Sequence, residues 1–395
     1  MRSYAFIVVV AVALTVWACS NGGEHWRLVG GAGVNNSWDA GAVFFEEVRV
    51  LQVYQGRLYA GLVNPSKIQG EVWEYDGGSW RQIGGNGVMG SWPTGTVMSV
   101  DSLAADERYL YAGTGLHLGM AQVWRFDGRQ WQQIGGNGLN GSWGNDLDSV
   151  WHLSFHGGDL FAGLLGEDSG DQRALLYRYK GSQWELMTGD NGERGGWAKN
   201  TGYIMAYVSA SDGTSLFVGL AGRGDGSADV WRFDGSTFQQ IGGDGLNGSW
   251  SNPDIRFVED AIISNGELYV SLQGSQTAGI MDHPIWKWDG SGWSAVGELP
   301  LEWEASTIFN KLLVFRGALY VAIGGAGGSA TVWRLDGTVW KKVGGHGLDG
   351  SSWNIGASAS GTQWIYTLVE YADRMYAGLA SAESSGAAQV WEYVP

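Results

Sequence analysis

The sequence predicts an all-β fold, on three observations. One phrase returns seven times along the chain, with clear copies reading LYAG, VWRFDG and WQQIGGNGLNGSW, at a period of about fifty residues, the range of propeller blades. Within each copy, short runs of β-branched and aromatic residues are broken by Gly, Asn, Asp and Ser, and the mature chain shows no amphipathic helical window. The chain also begins and ends out of phase. The last copy stops at Val390-Trp391-Glu392-Tyr393 without a fourth strand, while the mature chain starts on an orphan fourth strand, Trp26-Arg27-Leu28-Val29. Together these specify a seven-bladed β-propeller of four-stranded antiparallel blades, its ring closed by the N-terminal strand completing the last blade, which removes unpaired sheet edges.

The first full copy shows how each element is specified. Residues 48–54, 57–63, 71–75 and 79–83 read as strands one to four. Gln55-Gly56 and Asp76-Gly77-Gly78 are the turns within the outer pairs, because Gly and Asp tolerate the positive φ of tight hairpins. The domain organisation expected is a signal peptide over 1–19, a short linker over 20–25 and the propeller over 26–395.

The N-terminal segment carries Arg2, an apolar run over 4–17 and then Ala18-Cys19-Ser20, too short for a spanning helix. Val16-Trp17-Ala18-Cys19 resembles a bacterial lipobox, although Trp17 stands where a small or aliphatic residue is usual. Lipidation at Cys19 and ordinary secretion are therefore both open, and either places the protein in the cell envelope or outside the cell. Cys19 is the single cysteine, so no disulfide is expected.

The chain carries 66 Gly and 23 Trp, with 24 basic against 40 acidic residues. A net charge of -16 argues against a nucleic-acid partner, whose binding needs clustered Lys and Arg, and is explained by acidic solubility. The membrane enters only through the possible lipid anchor, and a monomer is expected.

Each blade ends in a glycine-rich loop closing on Trp, giving the comparable positions Trp38, Trp92, Trp143, Trp197, Trp250, Trp303 and Trp353 on one face. Trp offers a flat apolar surface and one N–H donor, suited to a sugar ring or a partner side chain, which makes these seven the candidate ligand-binding residues. The competing reading is that they wedge between neighbouring blades, as regularly spaced aromatics in repeat proteins do. Exposure of the side chains separates the two.

No metal site, cofactor or catalytic residue set is assigned. The loops carry mostly Asn where calcium wants Asp, no CxxC or HExxH spacing exists, and no GxSxG elbow stands out. Asp101, Asp148, Glu259, Asp260 and Glu370 could line the central channel from the first strands, as a carboxylate pair for sugar chemistry would require.

The order of elements resembles the kelch repeat. Gly56-Arg57-Leu58-Tyr59, Trp73-Glu74-Tyr75-Asp76 and Trp80 follow that family's order, as do Gly317-Ala318-Leu319-Tyr320, Asp336 and Trp340. The Gly-Gly doublet that kelch units carry after strand two appears there only at Gly324-Gly325. Elsewhere it follows strand four, as in Gly84-Gly85, a placement similar to the tachylectin-type propeller lectins, which bind amino sugars. Galactose oxidase shares a kelch-like propeller, but its copper site needs a Tyr cross-linked to Cys, and this chain has no Cys to supply one.

The function expected is a non-enzymatic extracellular or cell-surface recognition module holding glycan or protein on the loop Trp face. One alternative is a propeller hydrolase or lyase acting on an extracellular polysaccharide, marked by a pocket joining two carboxylates to an Arg on the inter-blade face. Another is a scaffold in an envelope protein complex.

Overall fold

The computed structural model describes residues 24–38, 45–166, 173–199, 201–222, 228–274, 283–300, 302–303, 307–325, 330–345, 347–348, 353, 363–381 and 388–395. Residues 1–23, with the expected signal peptide and Cys19, lie outside the described residues. Among the described residues no helix is long and apolar enough to cross a membrane.

The fold is a β-propeller of antiparallel strands. In the first unit the strands are Glu47–Tyr54, Arg57–Val63, Glu71–Tyr75 and Trp80–Gly84, within one residue of the expected bounds. Gln55 and Gly56 both hold positive φ, 46° and 71°, as a tight hairpin between right-twisted strands demands. Each later unit opens on its own first strand: Ser99–Ala105, Ser149–His156, Tyr203–Ser211, Ile255–Ser264, Thr307–Phe315 and Gln363–Tyr371. These first strands are innermost and contact one another in succession, and the seventh contacts the first.

The N-terminal strand His25–Gly30 pairs antiparallel with the last strand, Gln389–Val394, in the register Leu28 to Trp391 and His25 to Val394. It lies beside that strand as the outermost strand of the same sheet. Single bridges join the second strand of one unit to the first strand of the next, as between Val63 and Ser99, Leu165 and Met205, and Ala221 and Phe257. The same bridge joins Ala380 of the seventh unit to Glu47 of the first.

Tryptophan locks neighbouring units together. The indole N–H of Trp80, at the start of a fourth strand, donates to the Val29 carbonyl at 2.8 Å, and Trp131 and Trp184 donate equivalently to Ile83 and Ile134. Close approach of the inner strands needs glycine. A Cβ on Gly163 would lie 2.2 Å from the Ala206 carbonyl oxygen of the next unit, so any side chain there would force the two units apart.

Candidate functional site

The seven loop tryptophans are packing residues. Trp38, Trp92, Trp143, Trp197, Trp250, Trp303 and Trp353 are all buried, none above 8% exposed. The indole N–H groups of Trp38, Trp92, Trp143, Trp197 and Trp250 donate to backbone carbonyls of Ala388, Gly70, Ala121, Ala174 and Ala228 at 2.5–2.8 Å. Their ring faces meet the aromatic residue of the neighbouring unit edge-on, as in Trp38 with Trp80 at 5.1 Å and Trp143 with Trp184 at 5.2 Å. In these five, the donor is committed and the ring is packed, leaving nothing for a sugar ring.

The glycine-rich phrase is the device that seats them. Gly85 holds φ 92° with its N–H on the Ser91 hydroxyl at 2.8 Å, and Gly87 N–H reaches the Trp92 carbonyl at 2.9 Å. The recurrent Asn spends its amide on the chain, Asn140 donating to the Ile134 carbonyl and Asn247 to that of Ile241, both at 3.0 Å. Regularity here is a requirement of blade packing.

The groups that can do chemistry lie on the axis, and a backbone irregularity puts them there. Side chains of an innermost strand alternate between the two neighbouring units, leaving its edge toward the axis. Each first strand carries an extra residue relative to its partner, at Arg49, Asp101, Trp151, Tyr207, Glu259, Asn310 and Tyr366, and the fourth and fifth carry a second near their starts, at Ile204 and Arg256. A β-bulge of this kind re-aims a side chain out of the alternation. Arg49, Asp101, Trp151, Tyr207, Glu259 and Tyr366 line one cavity of about 290 Å³, together with His152, Asp260 and Lys311. That volume is close to the lower end of small-ligand pockets.

Within the cavity Arg49 is held on all sides. Its guanidinium stands 5.0 Å from the Trp151 ring and 4.5 Å from that of Tyr366, stacking geometry that favours a cation. Its Nη2 pairs with Glu47 at 2.6 Å, and its Nε stands 4.0 Å from Asp101. Trp151 and Tyr207 continue the aromatic wall at 5.5 Å. Lys311 Nζ is 3.5 Å from Asp260 Oδ1 and 3.4 Å from the Glu259 carbonyl, and Asp260 Oδ2 accepts the Leu312 N–H at 2.8 Å.

The acids are tuned toward neutrality by burial. Desolvation pushes the Glu259 carboxyl up to about 7, although the Tyr207 hydroxyl hydrogen-bonds it and Lys311 favours its charge. Asp101 is pushed up to about 6 by the same cause, against the pull of Arg49 and the nearby Ser99 and Ser149 hydroxyls. Neither Asp101 oxygen makes a hydrogen bond of ordinary geometry among the described residues. Burial and Lys311 push His152 down to about 3, keeping it neutral. A buried, half-protonated carboxyl beside a second carboxyl is a general acid–base arrangement.

Of the channel acids expected from sequence, Asp101, Glu259 and Asp260 line the cavity. Asp148 is buried just ahead of its strand and Glu370 is exposed near the end of its own, so neither takes part. Arg49, Trp151, His152, Tyr207, Lys311 and Tyr366 were not expected. The face also differs from expectation. The lining runs from the bulges toward the turns between strands one and two, and includes no residue preceding a bulge, so this cavity lies away from the inter-blade loops.

No family model matches the chain, and no curated protein matches it. Among solved structures it is similar to an ulvan lyase representing a new polysaccharide lyase family, with TM-score 0.52 and 12% identity over 88% of this chain and 94% of that one. A structure of that lyase type bound to -[GlcA(1-4)Rha3S]- gives TM-score 0.52 and 11% identity over 88% and 92%. A xyloglucanase from Xanthomonas campestris gives 0.49 and 16%, over 81% of this chain and 47% of the enzyme. At such identities the likeness shows the β-propeller fold. The expectation of a non-enzymatic module presenting loop Trp is corrected, because those side chains are buried.

Proposed function

We propose that the seven four-stranded units close into one ring, and that the chain is an exported enzyme cleaving an extracellular polysaccharide in the axial cavity. The observation that carries this reading is one cavity holding Glu259 and Asp101, both raised toward neutral pH, beside Arg49 and the aromatic rings of Trp151 and Tyr207. Glu259 gives up a proton to the leaving oxygen of the glycosidic bond, since its carboxyl is half protonated near neutrality. Trp151 supplies a flat apolar wall for a sugar ring, and Arg49 fixes that wall in place. Export rests on residues 1–19, with Cys19 as the point of attachment if the chain is lipidated. The protein acts as a monomer, since its cavity draws on all seven units of one chain.

The test is release of new chain ends from a panel of extracellular polysaccharides by residues 20–395. Wild-type protein is expected to cleave at least one of them, and Glu259→Gln to lose about 10²–10⁴-fold of that rate while remaining folded, the range for removing a general acid. Glycan binding without cleavage, or full activity in the variant, would overturn the assignment.

A further inference from the structure

The cavity's charge selects among the ways a polysaccharide can be broken. Resting on the cleavage reading, we propose that the cavity hydrolyses chains of uncharged sugars and excludes uronate-bearing chains, so that elimination is not its reaction. Elimination from a uronate removes the proton beside the sugar carboxylate, and the negative charge that develops there needs a free cation or a set of donors. Each cation of the cavity already faces an acid of the chain. Arg49 is committed to Glu47 at 2.6 Å, to Asp101 at 4.0 Å and to two aromatic faces. Lys311 is committed to Asp260 at 3.5 Å and to the Glu259 carbonyl.

The unmet buried groups of the cavity are mostly acceptor oxygens, with the Arg49 Nε donor facing one of them at 4.0 Å. Both Asp101 oxygens and His152 Nε2 are buried and lack a hydrogen-bond partner among the described residues. The Asp101 side chain is 0% exposed. A buried acceptor without a donor is costly, and a sugar hydroxyl supplies the donor, whereas a carboxylate would add a like charge in a medium of low dielectric. Three carboxyl groups against two cations line the cavity, and the chain's net charge of -16 repels an acidic polymer before it arrives.

The step balances with water as the only co-reactant. The bond from the anomeric carbon to the bridging oxygen breaks, and the Glu259 proton passes to that oxygen. Water's oxygen bonds to the anomeric carbon and its proton passes to the Asp101 carboxylate. No electrons leave the pair, and a proton exchange with solvent restores both acids.

The experiment offers matched pairs of polysaccharides, each uronan beside its carboxyl-reduced counterpart, to residues 20–395 in heavy-oxygen water. The expected result is cleavage confined to neutral members, a reducing end carrying one heavy oxygen, and no ultraviolet absorbance from an unsaturated uronate. An unsaturated product, or equal cleavage of both members, overturns this inference and leaves glycan cleavage standing. Failure to cleave any polysaccharide overturns both. Asp101→Asn adds a readout that a merely structural role would not move: hydrolysis is lost, while the preference for binding glucose over glucuronate relaxes by about tenfold, the ratio expected when roughly one buried like charge is removed. An unchanged preference counts against the assignment.

Discussion

The indole of Trp26 meets that of Trp353 edge-on, with ring centroids 5.1 Å apart and planes at 79°. One lies in the N-terminal strand and the other ends the loop of the sixth unit. Trp26 is buried and its N–H donates to the Val343 carbonyl at 2.8 Å, so the strand His25–Gly30 is wedged against the sixth unit while it pairs with the strand Gln389–Val394. Trp26→Ala is expected to cost about 3–5 kcal/mol, the range for truncating a buried large aromatic. Urea unfolding gives the magnitude, and amide exchange gives the location: protection should fall in the strand Gln389–Val394, at the far end of the sequence. Unaltered exchange in that strand would disconnect Trp26 from closure.

Substitution of Gly163 tests how tightly the inner strands pack. Its missing Cβ leaves room for the Ala206 carbonyl, which would otherwise stand at 2.2 Å, and backbone cannot swing aside as a side chain can. Gly163→Ala is expected to destabilise by about 1–3 kcal/mol through overpacking. Gly56→Ala is the control, because its Cβ meets nothing within 4 Å and its cost comes from positive φ alone. A smaller loss at Gly163 than at Gly56 would show that neighbouring units part easily.

Trp92→Phe separates packing from binding in the loop tryptophans. An aromatic ring is retained while the N–H is lost, leaving the Gly70 carbonyl without its donor at 2.8 Å. Stability is expected to fall by about 1–3 kcal/mol, the cost of orphaning a buried polar group. Polysaccharide cleavage at a temperature well below unfolding should not change. An altered substrate preference with unaltered stability would return Trp92 to the surface.

The sequence displayed the architecture because packing demands repetition. Strand bounds, turns and the wedge tryptophans recur, and each recurrence is a residue type that one packing problem selects. The site was partly legible for the opposite reason. Aligning the first strands at their apolar positions gives Val48-Arg49-Val50-Leu51, Val100-Asp101-Ser102-Leu103, Val150-Trp151-His152-Leu153 and Ile365-Tyr366-Thr367-Leu368. One column varies between Arg, Asp, Trp and Tyr, while the branched residue before it and the Leu two places after it persist. That column is the bulge. A search for acids found Asp101 and Glu259 there but passed over Arg49, Trp151, Tyr207 and Tyr366, because a strand's alternation gives no sign that one residue leaves it. Glu370 fits the alternation and is exposed, so counting acids on the first strands could not separate it from Glu259.

The raised carboxyls also set how stability depends on pH. Glu259 stands at about 7 in the folded chain against an ordinary 4.5, and Asp101 at about 6 against 3.8, both through burial. A group whose folded value is raised binds its proton more tightly when folded, so its stabilising effect is greatest at low pH and is lost as pH rises through the folded value. Glu392 has the opposite sign. Burial opposes its charge, but Arg374 and Arg27 hold its carboxyl below the ordinary range, so its contribution is present at neutral pH and lost as the medium becomes strongly acidic. Across the window from about pH 5 to about pH 8 the buried cavity acids therefore lead, and Asp229, also raised to about 7, adds to them. Glu259→Gln removes one contribution and leaves the rest. The stability of the variant relative to wild type is expected to rise by on the order of 3 kcal/mol between about pH 5 and about pH 8, since a tenfold change in a carboxyl's acidity on folding is worth about 1.4 kcal/mol. Denaturant unfolding at the two pH values measures it, and parallel pH profiles for variant and wild type would mean that Glu259 titrates normally and has no acid to offer a glycosidic oxygen at neutral pH.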